Sequence, residues 1–184
     1  MMPLWDNRKR LSRAHNLAVL SLLLAFALMM GALERMIPFQ PPIPGVRLGL
    51  PNVAVLFALY CFSFVDCLML VFMKCFLNAL LAGSFVSFFY SLSGSFLSLF
   101  GMLLLIRLLR ENISPIGISA AGAVLHNIGQ VAAASILMRS TLVLAYLPIL
   151  LISGLITGTL TGVAVEYLLR LPPVVAGMSP RYRM

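Results

Sequence analysis

The chain is written in long apolar runs and shows little alternation of hydrophobic and polar positions. Apolar residues dominate from about Ala14 to Ile37, from Leu48 to Arg107, from Pro115 to about Met138, and from Thr141 to Arg170. A bilayer core ~30 Å thick needs about 20 apolar residues per helix, so each run is a spanning candidate. The first run follows Arg8, Lys9, Arg10 and Arg13 and ends at Glu34, Arg35 and Pro38. It is longer than a signal-peptide core and has no small-residue cleavage site, which predicts a retained helix.

The Leu48–Arg107 run is too long for one helix and has to be divided. Asp66, Gly83-Ser84 and Ser91-Leu-Ser-Gly-Ser95 are its polar or small interruptions, which predicts helices near 50–65, 67–82 and 88–110. The 50–65 helix is short, and is expected to be tilted or partly buried in protein. Phe39 to Pro44 is Pro-rich and reads as a rigid external connection. Arg110 to Ser114 reads as a loop, with Pro115 opening the next helix. Pro148 is expected to kink or reset the start of the last one.

The expected fold is therefore all-α: a polytopic membrane protein of six transmembrane helices. Residues 1–13 form a basic N-terminus, 14–170 the membrane domain and 171–184 a tail. The positions of the charges set the orientation. With both termini cytoplasmic, Arg8, Lys9, Arg10, Arg13, Arg107, Arg110, Arg170, Arg181 and Arg183 lie inside, and only Arg35, Arg47 and Arg139 outside. Nine against three agrees with the positive-inside rule, and an odd number of spans would lose that asymmetry.

Composition sharpens this picture. Of 184 residues, 61% are hydrophobic and 10% charged, against ~25% charged in ordinary soluble domains. That excludes a soluble enzyme, a disordered regulator and a secreted disulfide scaffold. The net charge of +8 raises the question of nucleic acid, but the basic residues mark the ends of apolar runs and form no aromatic-interleaved stripe, so no nucleic-acid partner is expected. Cys61, Cys67 and Cys75 have neither metal-ligand nor redox spacing and read as small buried hydrophobes.

Polar groups at membrane depth are functional candidates because they are costly there. Lys74 and Asn78 are four apart and share a helix face, which must look into the bundle. The pair reads either as a hook for an anionic or carbonyl-bearing ligand or as a Lys satisfied within the protein. His126 and Gln130 share a face mid-span with Asn127 beside them, either as a binding site or as interhelical glue. Arg47, Asn52 and Tyr90 are expected near an external mouth. Glu34 and Arg35 read better as a solvated rim, where charge pairs carry little energy. Gly154, Gly158 and Gly162 repeat every fourth residue, and Ala14 and Ala18 form a weaker pair; both sets permit close helix approach, within the fold or to a partner.

The acids Asp6, Glu34, Asp66, Glu111 and Glu166 are scattered, without the clustered carboxylates that would hold magnesium for prenyl or phosphoryl transfer. Walker, GxSxG, HExxH and haem-attachment motifs are missing, and His15 and His126 do not suggest paired haem ligation. No catalytic residue, cofactor or metal is therefore expected.

Three stretches carry a family resemblance: Pro44-Gly-Val-Arg-Leu-Gly-Leu-Pro-Asn-Val53, Ser114-Pro-Ile-Gly-Ile-Ser-Ala-Ala-Gly-Ala123 and His126-Asn-Ile-Gly-Gln130. The chain resembles, over about Ala14 to Arg170, the bacterial membrane family labelled "Gx transporter" or "heptaprenyl diphosphate synthase component I". It departs at Pro51, at Leu125 and at Lys74, where an Arg is common; Lys keeps the charge but loses the bidentate fork. The family is similar in turn to the substrate-binding S-components of energy-coupling-factor (ECF) transporters. That likeness implies a six-helix bundle in a bacterial plasma membrane, with an external pocket lined by Lys74, Asn78, His126, Asn127 and Gln130. Arg47, Asn52 and Tyr90 would lie toward its mouth, and Ala14 and Ala18 on the surface that meets a coupling subunit driven by separate ATPases. The implied ligand is a small organic solute or an isoprenoid-, quinone- or flavin-type precursor. The resemblance leaves two alternatives: a subunit of a flavin- or quinone-linked extracellular electron-transfer system, with a membrane-anchored partner, and an accessory component of a heptaprenyl diphosphate synthase.

Overall fold

The computed structural model describes residues 13–36, 49–109 and 112–171, all helical or in short connections. The elements are α1 (Arg13–Met36), α2 (Asn52–Cys61), α3 (Phe64–Ala82), α4 (Phe85–Leu109), α5 (Pro115–Leu137), a 3-10 helix (Thr141–Tyr146) and α6 (Leu147–Arg170). Five of these, the 3-10 helix counted with α6, are long and apolar enough to cross a membrane. Outward-facing side chains such as Leu22, Phe85, Leu108, Ile136 and Leu160 are exposed and apolar, which fits a surface that meets lipid. The chain is a multi-pass membrane protein.

The expected six spans resolve into those five and one shorter helix. At ten residues, α2 is about 15 Å long, too short to cross alone. Every residue from Val53 to Cys61 is buried, against α1, α3, α4 and α6. A helix apolar on all sides is enclosed on all sides, and Val55, Leu56 and Ala58 sit at the centre of the main apolar core.

The division of the long apolar run differs from expectation in two places. Asp66 does not separate two helices; it caps one. Ser63 is the N-cap of α3, its Oγ accepting from Asp66 N at 3.3 Å while Asp66 Oδ2 accepts from Ser63 N at 3.2 Å and Ser63 Oγ at 2.6 Å. This reciprocal capping box moves the break to Phe62–Ser63 and uses a carboxylate where the helix N-terminus favours one. Ser91–Ser95 is no break either. It lies inside α4, where Ser87, Ser91, Gly94, Ser95 and Ser98 make one buried face. Gly83 does end α3, in the left-handed conformation at φ +64. Pro115 opens α5 behind Ser114, whose Oγ accepts from Gly117 N at 3.2 Å. Pro148 falls in the first turn of α6, preceded by the 3-10 helix, so the last run is reset there.

The bundle is centred on α5, which packs antiparallel against both α4 and α6. A Cβ on Gly129 would come within 2.8 Å of Gly94 Cα and 2.9 Å of Ser93 O, so the α4 and α5 backbones abut. On the other side Gly154 meets Asn127, Gly158 meets Ala120 and Ala123, and Gly162 meets Ile116. The four-residue glycine repeat of α6 is thus filled by α5. Ala14 and Ala18 lie on the exposed side of α1.

Candidate functional site

Six polar side chains from four helices converge where the Asn52 end of α2 meets the middle of the bundle. Glu34 comes from the last turns of α1, Asn52 from the first residue of α2, Lys74 and Asn78 from α3, and His126 and Gln130 from α5. With Ser91, Ser95, Cys75, Gly49 and Pro51 they line one cavity. Lys74, Asn78, His126 and Gln130 are almost fully withdrawn from the surface. Each was drawn inward by the spacing expected of it: the i and i+4 pairs of α3 and α5 both point to this space.

The polar atoms are held in a defined network. Lys74 Nζ donates to Asn52 Oδ1. Asn78 Nδ2 donates to the Lys74 carbonyl at 3.0 Å, and Asn78 Oδ1 accepts from Arg35 Nη1 at 3.4 Å. The Gln130 side-chain amide and His126 Nε2 share a hydrogen bond. Cys75 Sγ approaches Ser95 Oγ at 3.5 Å. Gly31 lets α1 lie directly against Asn78, a contact that any side chain there would disturb.

Glu34 is the largest correction to the sequence reading. It is buried, not on a solvated rim, and its Oε1 accepts from the Gly49 backbone N–H at 3.0 Å. Gly49 takes φ +92, and a Cβ there would meet Asn52 Nδ2 at 3.0 Å and His126 Cδ2 at 3.4 Å. A glycine is required by both the backbone angle and the space. The carboxylate therefore anchors the chain just before α2 and lines the same cavity as Lys74.

Two expected site residues face elsewhere. Asn127 lies 100° round α5 from His126, and its Nδ2 donates to the Leu150 carbonyl of α6. Tyr90 is buried with Val131, Ala134, Val143 and Leu150 in a separate apolar cluster, away from the cavity. Arg47 and the Pro-rich 39–44 connection lie outside the described residues, as do the N-terminal basic cluster 8–10 and the tail from 172. Sequence reading missed Ser91, Ser95 and Cys75 as lining residues. Their signal was the shared face of Ser87, Ser91, Ser95 and Ser98 at helical spacing, which points inward as a set.

The cavity is small, about 20 Å³, which is room for about one water. A second cavity of about 10 Å³ lies beyond Asn52, lined by Ser98, Ser119, Gly122, Thr157, Gly158 and Thr161 among others. Among the described residues no group of three or more His, Cys, Asp or Glu is placed to hold a metal ion.

The family model described as heptaprenyl diphosphate synthase component I matches residues 23–168. The chain belongs to that family. The matched region spans every residue lining the cavity, from Glu34 to Gln130. No curated protein and no solved structure matches the chain. Membership in the heptaprenyl diphosphate synthase component I family therefore rests on the membrane domain alone, with the polar cavity inside it.

Proposed function

We propose that this member of the heptaprenyl diphosphate synthase component I family is a non-catalytic solute-binding subunit of a bacterial plasma membrane, of the S-component type. The observation that carries the reading is the convergence of Glu34, Asn52, Lys74, Asn78, His126 and Gln130, from four helices, on one cavity inside an apolar bundle. Such groups are costly in a membrane interior, and their gathering around a space is what a ligand site requires. Lys74 would take a carboxylate or carbonyl oxygen, and the amides and hydroxyls would read the rest of the solute. A polyprenyl chain is a poor occupant, because it would leave these polar groups unpaired. The favoured ligand is a small polar organic molecule.

The helix directions agree with this role. We read α1, α3 and α5 as running one way and α2, α4 and α6 the other, a reading supported by the contacts of Gly31 of α1 with Asn78 of α3 and of Gly129 of α5 with Gly94 of α4. On that reading the start of α1 and the end of α6 lie on one side, which the basic residues would assign to the cytoplasm, and the cavity lies toward the external half. Ala14 and Ala18 on exposed α1 would meet a coupling subunit. With room for about one water, the cavity has to widen to admit a solute, and displacing Asn52 and the Glu34–Gly49 contact would widen it.

The test is native mass spectrometry of the detergent-purified protein. We expect a co-purifying small polar mass that is lost in Lys74→Met and Asn78→Leu. A protein with no bound mass, together with unaltered solute uptake in cells carrying Lys74→Met, would defeat the proposal. The family description favours one second reading, an accessory membrane subunit of a prenyl diphosphate synthase. It predicts co-purification with a soluble catalytic component rich in paired aspartates, independent of Lys74.

A further inference from the structure

The two cavities share Gly49 and Asn52 and have no other lining residue in common. The Asn52 side chain stands between them. Its Oδ1 accepts from Lys74 on one side, while its Nδ2 has no hydrogen-bond partner among the described residues. On the far side Ser98 is 2% exposed, lines the second cavity, and its Oγ also has no partner among the described residues. A hydroxyl and an amide N–H left unpaired in a membrane interior each carry a desolvation penalty. Both belong to the lining of the same space.

Gly122 and Gly158 line that space and hold its walls close together. A Cβ on Gly122 would approach Met102 Sδ at 2.6 Å, Met102 Cγ at 2.7 Å and Ser98 Oγ at 3.2 Å, and one on Gly158 would meet Ser119 O at 3.0 Å. Ser119 and Thr161 bridge α5 and α6 through their hydroxyls at 2.8 Å, and Thr161 also donates to the Gly158 carbonyl at 2.9 Å. The result is a hydroxyl-lined pocket between α2, α4, α5 and α6, directly behind the Lys74 cavity.

We propose that the two cavities are one binding chamber partitioned by Asn52, and that Ser98, Ser119 and Thr161 are its inner, specificity-determining subsite. The inference rests on the solute-binding reading above and extends it. Here the Asn52 amide oxygen holds the place at Lys74 that the solute would take. A bound solute replaces that amide with its own carboxylate or carbonyl oxygen, and reaches past it with a hydroxyl or amide group that pairs with Ser98. The ligand class is thus an elongated polar solute with a carbonyl or carboxylate at one end and a hydrogen-bonding group at the other.

Cysteine accessibility tests this without knowing the solute. Only a thiol reached by water ionises and reacts with a charged methanethiosulfonate. Ser98→Cys is placed in a Cys61→Ala/Cys67→Ala/Cys75→Ala background, with Leu99→Cys, fully buried in the apolar core, as the dry control and Ser119→Cys as a second reporter. Native Cys75, in Cys61→Ala/Cys67→Ala, reports the first cavity. With 2-aminoethyl methanethiosulfonate on the protein in liposomes, Ser98→Cys and Ser119→Cys should react about tenfold faster than Leu99→Cys, as expected of thiols in contact with water. Asn52→Ala, or Asn52→Ser if the first is not monodisperse, should accelerate Ser98→Cys further. Reactive Cys75 with Ser98→Cys and Ser119→Cys as inert as Leu99→Cys overturns the inner subsite and leaves the first cavity standing. An inert Cys75 overturns both.

Discussion

The two faces of α5 carry similar polar residues and are built for opposite ends. The face with His126 and Gln130 looks toward α2, α3 and α4 across a space lined by hydrogen-bonding groups. The face with Asn127, Ala120 and Ile116 is packed onto the glycines of α6, with Asn127 Nδ2 spent on the Leu150 carbonyl. One side keeps polar atoms around a space; the other uses a polar atom to tie two backbones together. Burial does not separate them, since Asn127 and Gln130 are both 0% exposed. What separates them is whether a neighbouring backbone fills the space in front.

The packed face should be the more fragile to added bulk. Gly158→Leu pushes a side chain into Ala120 Cα and Ser119 O, backbone atoms that cannot turn aside. A loss of about 3 kcal/mol is expected, in the range of overpacked cores, read as a large fall in thermal midpoint in detergent. A midpoint within error of wild type would show that α6 is not seated on α5 as described. Asn127→Leu should cost about 1 kcal/mol, typical of an interhelical hydrogen bond in a membrane protein, and should leave any co-purifying solute bound. Loss of solute in that variant would move Asn127 into the site and erase the contrast between the faces.

Smaller effects are expected as the hollow side is approached. Thr161→Val removes the Ser119–Thr161 hydrogen bond and should lower stability by about 0.6 kcal/mol, the average for such bonds. Lys74→Met combined with Glu34→Gln should change the thermal midpoint least, because removing two buried formal charges together removes their desolvation along with their interactions. The same double variant should lose the co-purifying solute. A double variant with a strongly lowered thermal midpoint that still holds ligand would invert the assignment, making this network structural.

Much of the fold was legible in the residues. Six helices with a short second one, Pro115 at the start of α5 and the reset at Pro148 follow from run length and proline position, whereas the enclosure of that second helix, which leaves five spans where six are expected, does not. The i and i+4 pairs Lys74/Asn78 and His126/Gln130 were legible as inward faces for the same reason: a helix stacks such residues on one side. Glu34 was misread because a charge pair near a helix end looks like a rim, and only the return of Gly49 onto its carboxylate buries it. Asp66 was taken for a break because a carboxylate in an apolar run suggests a turn, whereas three residues after Ser63 it is a cap. Tyr90 and Asn127 went astray together, since each points to a neighbour that no local spacing names.

By itself, then, the sequence determined where the chain lives and how many helices it folds into. Lipid offers the backbone no partners, so long apolar runs can only become helices, and their ends are marked by charge, proline and glycine. The tertiary structure alone decided which polar residues meet. The rotation of each helix is set by how closely its neighbours approach, here through Gly31, Gly94, Gly129, Gly154, Gly158 and Gly162. Those approaches bring Glu34, Asn52, Lys74 and His126 around one cavity, and they give Asn127 to a backbone carbonyl instead.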